Sequence, residues 1–339
     1  MEQAKNLGKK QAVRFVTVDQ GQAGQRVDNF LMRELKNVPR SYVYRILRKG
    51  EVRVDKKRVK PLRKLSVGEV VRIPPVYLTE KAESEKVPKS ILDMIEKAIL
   101  LEDDDLILVN KPSGLAVHGG TGVRYGLIES FRQLRPGLPF VELVHRLDKE
   151  TSGIVMLAKN RPTLLALHQM MQTAVKDKGI DKQYQTLVKG RWQGGRKQIK
   201  NQLKKQRGEK QKVKVLSSNN DSNDGKTAES FFSPIDYYNF EGSDYTLLKV
   251  ELVTGRMHQI RAQLADMGLP VLGDSQYGDF TSNREIKKKL GLKRLFLHAY
   301  FIRFYLASNG KDYQCRIPLA DDLHSVIEGI KEEGVKKHE

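Results

Sequence analysis

The chain holds one cysteine, Cys315, in 339 residues, so it can close no internal disulfide. The alternation around it, YQCRIP, suits a packed strand residue rather than a reactive thiol. No apolar run approaches the roughly 20 residues that a bilayer span needs. The N-terminal segment MEQAKNLGKKQAVRF lacks the apolar core of a secretory signal, which predicts a cytoplasmic protein. Neither a phosphate-cradling loop nor a dinucleotide glycine pattern occurs, so a nucleotide cofactor has no local support. The seven histidines are scattered and no Cys or His pair stands at zinc spacing, so no metal is expected. Acidic residues are scarce: 41 Asp and Glu face 61 Lys and Arg, a net charge of +20. Such a surface favours a polyanion, nucleic acid first. An anionic membrane is the weaker candidate, because the basic segments are not amphipathic helices with apolar faces.

Hydrophobic content of 39% is enough for two domains with cores. Residues 1–23 read as a flexible tail. From residue 24 to 75 a small domain is expected. RVDNFLMREL puts Val27, Phe30, Leu31 and Leu35 on one helical face. SYVYRILRKG reads as a second short helix, with Ser41 able to cap it and Gly50 suited to a left-handed stop. EVRVDKKRV has the look of a hairpin turning at Asp55-Lys56-Lys57, and VGEVVRIPP adds a strand. Arg40 to Arg72 holds twelve Lys and Arg against three acids. That is either a solvated face or a phosphate-contacting one. Arg45, Arg48 and Lys49 lie close together on the second helix, which favours RNA.

Residues 76–98 read as a linker running into a short helix, 99–325 as a larger α+β domain, and 326–339 as a tail. Arg191 to Lys214 carries ten Lys and Arg against one Glu and leads into SSNNDSNDGK, so 191–228 reads as a basic insertion with a flexible tip. It either touches RNA or forms a solvated hairpin.

In the larger domain VHRLDKETSGIVMLAK sets one acid, Asp148, beside Arg146 and ahead of a Thr151-Ser152-Gly153 turn and an apolar strand. Next to a cation a carboxylate is favoured in its charged form, which suits a nucleophile or base. The plainer reading is a surface ion pair at a strand end. A second cluster, TGRMHQIRAQLADMG, gathers Arg256, His258, Gln259 and Arg261 near a helix start, a common place to hold an anion. Arg256 could pair with Asp148 and orient it. Tyr184 opens an alternating strand, where an aromatic is ordinarily core, although a nucleobase site would want such a ring.

HRLDKETSG (145–153) resembles the signature of the RluA family of pseudouridine synthases. LILVNKPSGLAVHGG (106–120), TGRMHQIRAQLADMGLPVLGD (254–274) and RLFLHA (294–299) resemble further segments of that family, in its order. The N-terminal unit resembles the small RNA-binding module shared with ribosomal protein S-four, and 29–58 resembles one large-subunit ribosomal-RNA subtype. The resemblance implies an S-four-like domain followed by a catalytic domain built on a mixed, largely antiparallel central sheet. It implies that uridine is detached at its glycosidic bond, turned and rejoined through carbon five, without cofactor or metal. It makes Asp148 the catalytic aspartate, Arg256 its pairing arginine, and Tyr184 the ring stacked on the base and proposed to take the carbon-five proton. Arg146 would fill the space of the flipped nucleotide, and Ile260 would line the pocket.

The expectation is therefore a monomeric isomerase acting on large-subunit ribosomal RNA. The alternative is a non-catalytic RNA-binding ribosome-assembly factor. A hydrolase using Ser152 or Thr151 is weaker still, because no histidine–acid pair is evidently placed to activate either.

Overall fold

The computed structural model describes residues 12–35, 38, 40–76, 86–119, 125–173, 179–206, 212–216 and 225–336. The chain divides into two compact units, Met1–Lys86 and Val87–Glu339.

The first unit contains β1 (Arg14–Thr17), α1 (Val27–Glu34), α2 (Arg40–Arg48), β2 (Arg53–Val54), β3 (Lys57–Arg58) and β4 (Val70–Ile73). Its strands pair antiparallel in the order β1-β4-β2-β3. The expected apolar stripe of α1 is buried against Val43, Ile46 and Leu47 of α2 and against Val54, Val71 and Ile73 of the sheet. α2 stops at Gly50, whose φ of 69° is the left-handed conformation read from the sequence. Asp55 and Lys56, both at positive φ, make the two-residue turn of the β2–β3 hairpin. Ser41, expected to cap α2, is corrected: the helix already begins at Arg40, so Ser41 lies inside it. The expected N-terminal tail is corrected: residues 14–17 form β1 on the sheet, and Val18 is buried behind it.

The second unit runs α3 (Lys89–Lys97), β5 (Ile99–Glu102), β6 (Leu106–Lys111), α4 (Leu127–Leu134), β7 (Glu142–Leu143), β8 (Ser152–Ala158), α5 (Arg161–Gln172) and β9 (Asp181–Lys189). It continues with β10 (Lys197–Lys205), β11 (Val213–Leu216), β12 (Lys226–Phe240), β13 (Ser243–Leu252), α6 (Gln259–Asp266), α7 (Phe280–Leu290), β14 (Leu297–Leu306), β15 (Lys311–Arg316) and α8 (Asp321–Lys336). One sheet takes all these strands, in the order β11-β10-β12-β13-β9-β14-β8-β6-β5, with β15 on β14 and β7 on β8. β14 and β8 are parallel and the other pairings antiparallel, the mixed α+β architecture expected.

The period-two alternation of a strand sorts the core into two layers. Val155 and Leu157 of β8, with Ile107 and Val109 of β6, face a cluster that holds α4, α6, α7 and α8 side chains. Ile154, Met156 and Ala158, with Leu106 and Leu108, face a second cluster under α5. Covered on both faces, β8 is buried at all seven residues, which is why its sequence is a continuous apolar run.

The segment expected as a C-terminal tail instead continues α8, whose Val326, Ile327 and Ile330 are buried in the first cluster; 337–339 lie outside the described residues. α3 belongs to the second unit and buries Ile95, so the expected linker keeps only its earlier part, of which 77–85 lie outside the described residues. Where the basic insertion is described, it is largely sheet: β10 and β11 extend the edge beyond β12. Its expected tip at 217–224 lies outside the described residues.

Candidate active site

Asp148 sits in the loop between β7 and β8, and its neighbours hold that loop from three sides. Its backbone carbonyl accepts the Thr151 N–H at 3.1 Å. From the end of β6, the fully buried Lys111 donates through Nζ to the carbonyls of Pro112 (2.9 Å), Leu115 (2.9 Å) and Lys149 (3.3 Å). Burial, with the charge of Arg294 adding, pulls the Lys111 amine down to about 7. Ser113 Oγ donates to the Glu150 carbonyl at 2.7 Å. The NKPSGL segment is thus the brace of the loop that carries Asp148.

Beyond Thr151 the chain enters β8 at Ser152 and Gly153. A Cβ on Gly153, at φ 111°, would stand 2.2 Å from the carbonyl oxygen of Ala299, so only glycine permits the parallel β8–β14 contact there. Ser152 Oγ donates to His298 Nδ1 at 2.8 Å and accepts from Arg294 Nη1 at 3.0 Å, while His298 Nε2 donates to the Pro318 carbonyl. Ser152 and His298 are both buried, and among the described residues the imidazole is oriented by the Pro318 carbonyl and not by a carboxylate. This serine braces the core, and the hydrolase reading has no support in it.

The cation that meets Asp148 is Arg261. Its Nη1 donates to Asp148 Oδ2 at 3.1 Å, while Nε and Nη2 form a two-pronged pair with Asp274 at 2.7 Å each. Arg261 and Asp274 are buried, and Asp148 keeps about a fifth of its side chain open. Asp274 is held in turn by the N–H groups of Gln276 and Tyr277. Arg261 and the hydrogen bonds to Asp274 keep that carboxyl below the usual range against the opposing effect of burial. Arg256, the expected partner, is corrected: it is exposed in the loop before α6, and its Nε donates to the Thr227 carbonyl at 3.0 Å. The reason is helix phase. Buried Gln259 turns its amide back onto Thr254, Glu229 and Ser230, fixing where α6 begins and pointing Arg261 inward.

Two further groups border the acid. His258, in the left-handed conformation at φ 53°, brings Nε2 to 3.6 Å from Asp148 Oδ2. Its Nδ1 lies 3.1 Å from the Tyr277 hydroxyl, which accepts the Val213 N–H of β11 at 2.8 Å. The imidazole is thus held between the Tyr277 hydroxyl and the acid. The Tyr277 ring also lies 5.1 Å from the Arg261 guanidinium. The basic insertion thus reaches the aspartate through Tyr277 and His258.

Asp148, Tyr184, Arg146, Ile260, Arg256, His258 and Arg261 line one cavity of about 90 Å³. Tyr184 lies in mid-β9, between Val250 of β13 and Ala299 of β14. Burial, and then the charge of Asp148, push its phenol well above the ordinary value, so it is neutral. Arg146 is exposed at the rim and Ile260 is buried on α6. Arg45, Arg48 and Lys49 are exposed on and just after α2 in the first unit. Asp274, Tyr277 and Lys111 escape sequence reasoning altogether. Their roles depend on contacts across the fold, although the lysine inside an apolar strand of β6 was a usable hint of a buried charge.

A model of the family described as RNA pseudouridylate synthase matches residues 105–266, and one of the S4 domain matches 25–71. The ribosomal large subunit pseudouridine synthase C of Pasteurella multocida is 43% identical over 95% of each chain. That of Escherichia coli is 42% identical over 94% of this chain and 97% of its own. In fold, the chain is similar to human RNA pseudouridylate synthase domain containing 4, with a TM-score of 0.56 at 21% identity, covering 71% of this chain and 96% of that one. With such relatives along nearly its whole length, the chain belongs to the RNA pseudouridylate synthase family.

Proposed function

We propose that this protein converts uridines of large-subunit ribosomal RNA into pseudouridine, with Asp148 as the reacting carboxylate. The supporting observation is a single partly open acid, held by a buried guanidinium, in the same small cavity as a neutral tyrosine. The reaction is an isomerisation. The bond from N1 to the sugar breaks, a bond from carbon five forms, carbon five loses a proton and N1 regains one. It consumes no co-reactant, and what it demands of the site is a base flipped out of its stack and held.

Asp148 then acts on the sugar, Arg261 aims it, and Tyr184 stacks on the base. Arg146 at the rim fills the space the nucleotide vacates, Ile260 closes the apolar side, and Arg256 contacts the RNA backbone. Arg45, Arg48 and Lys49 grip phosphates from the first unit. Ribosomal RNA as substrate supports a cytoplasmic site of action, where the enzyme would act as a monomer. Asp148→Asn should abolish tritium release from carbon-five-labelled uridine in large-subunit RNA while RNA affinity stays within a few-fold. Tritium release at the wild-type rate would remove Asp148 from this role, and an unchanged pseudouridine map in a deletion strain would favour the assembly-factor reading.

A further inference from the structure

We infer that the open face of the first unit's sheet is an RNA-binding site of its own, in which Phe15 stacks on an unpaired base and Arg72, Arg53 and Arg58 take the adjoining phosphates. The inference rests on the reading of this chain as an RNA-modifying enzyme and adds a surface away from the helix bearing Arg45 and Arg48.

The register of the four strands makes the row. Phe15 of β1 stands opposite Arg72 of β4, Arg72 opposite Arg53 of β2, and Arg53 opposite Arg58 of β3. Cross-strand partners share a face, so one aromatic and three guanidinium side chains run side by side across the whole sheet, over about 14 Å. The alternate residues Val54, Val71 and Ile73 face the core, which fixes the row on the opposite, open side. Phe15 is 68% exposed there. These residues, with Lys49, Lys56 and Val70, line an open groove of about 970 Å³.

Charge complementarity identifies the occupant. Two other arginines of this unit are matched by acids: Arg26 pairs with Asp28 and Arg63 with Glu69, each at 2.5 Å. Arg53, Arg58 and Arg72 pair with no carboxylate among the described residues. Each donates instead to a backbone carbonyl, those of Lys56 (3.4 Å), Lys49 (3.2 Å) and Glu51 (2.7 Å). A guanidinium has five donor hydrogens, so most remain available in the groove. The two acids on its lining are already engaged: Asp55 accepts the Val70 N–H, and Glu51 lies 3.9 Å from Lys49. Blunting a sheet edge does not explain the row, since β4 and β2 are the inner strands. An exposed ring beside unpaired cations on a sheet is the arrangement that takes an unstacked base and its phosphates.

The test measures binding of the full chain to fluorescent oligouridylate and to protein-free large-subunit RNA over a series of salt concentrations. Phe15→Ala should weaken binding roughly five- to a hundred-fold with the salt dependence unchanged, and Phe15→Trp should restore it. The combined Arg53→Gln, Arg58→Gln, Arg72→Gln variant should make log affinity against log salt shallower by about 2. Because Phe15 is exposed, the thermal midpoint of Phe15→Ala should match wild type and vouch for its fold. Wild-type affinity in Phe15→Ala, or binding by Phe15→Trp no better than by Phe15→Ala, would overturn the inference. So would displacement by polyglutamate as effective as by oligouridylate, which would assign the groove to an acidic protein. Asp148→Asn is measured alongside. If its tritium release persists while the groove variants lose RNA, the catalytic reading fails and the groove stands. The converse result removes the groove alone.

Discussion

Arg261 and Asp274 form a buried fork-to-fork pair, with both bonds at 2.7 Å, and the third edge of the same guanidinium holds Asp148 at 3.1 Å. One arginine is therefore shared between a structural acid and the acid proposed to react. The rigid pair fixes the plane of the guanidinium, and that plane fixes where the Asp148 carboxylate can sit.

This sharing predicts a sharp difference between two arginines five positions apart. Arg261→Gln strands a charge at Asp274 and should destabilise the fold by about 3–5 kcal/mol. Arg261→Lys keeps a charge without the fork, so it should fold but lose about a hundred-fold in turnover through misplacement of Asp148. Arg256→Gln should leave stability near wild type and act mainly on KM, as expected of an exposed residue. Equal kinetic losses in Arg261→Lys and Arg256→Gln, with equal KM shifts, would contradict the pairing.

For Tyr184 the two halves of the side chain can be separated. The neutral phenol offers a ring to stack and a hydroxyl in the same cavity as Asp148. Tyr184→Phe should keep KM within a few-fold while single-turnover tritium release slows at least about a hundred-fold, the scale of a lost proton-transfer group. Tyr184→Leu should raise KM as well. A Tyr184→Phe enzyme with wild-type release would leave the ring as the only contribution.

The His298 imidazole, buried behind the loop, couples stability to pH. Burial, with the Arg294 charge adding, pulls it from 6.5 down to about 4. Between those values the unfolded chain binds the proton and the native one does not. This histidine's contribution to stability is thus complete above pH 6.5 and is lost as pH falls through 4, by on the order of 3 kcal/mol. Thermal midpoints measured across that window should fall less steeply in His298→Gln than in wild type. His145, also kept neutral by burial, retains its own part of the slope in both. Parallel profiles would show that His298 is not the group responsible.

Much of the fold was legible because periodicity records which side of an element is dry. The α1 stripe, the Asp55-Lys56 turn, Gly50 and the all-apolar β8 stand where the sequence places them. The ends were misread for a related reason. β1 is four residues of an edge strand with exposed alternate positions, and α8 shows its apolar face only against β12 and its neighbours. Neither has local contrast strong enough to stand out from a charged tail. The Phe15 row was invisible, because its four members are spread over 58 positions and only strand register aligns them.

At the site, the residue types were readable from the chain alone: one acid before a buried strand, a glycine at a forced close approach, an aromatic on an alternating strand, and two arginines around a helix start. Which arginine holds the acid became visible only once the chain was folded. The stretch Gln259–Leu264 is buried all round, so no polar stripe marks an inward face, and the partners lie 113 residues apart in the chain. Local pattern encodes burial, whereas the choice of an ion pair depends on the phase of α6 and on the distant carboxylate of Asp274.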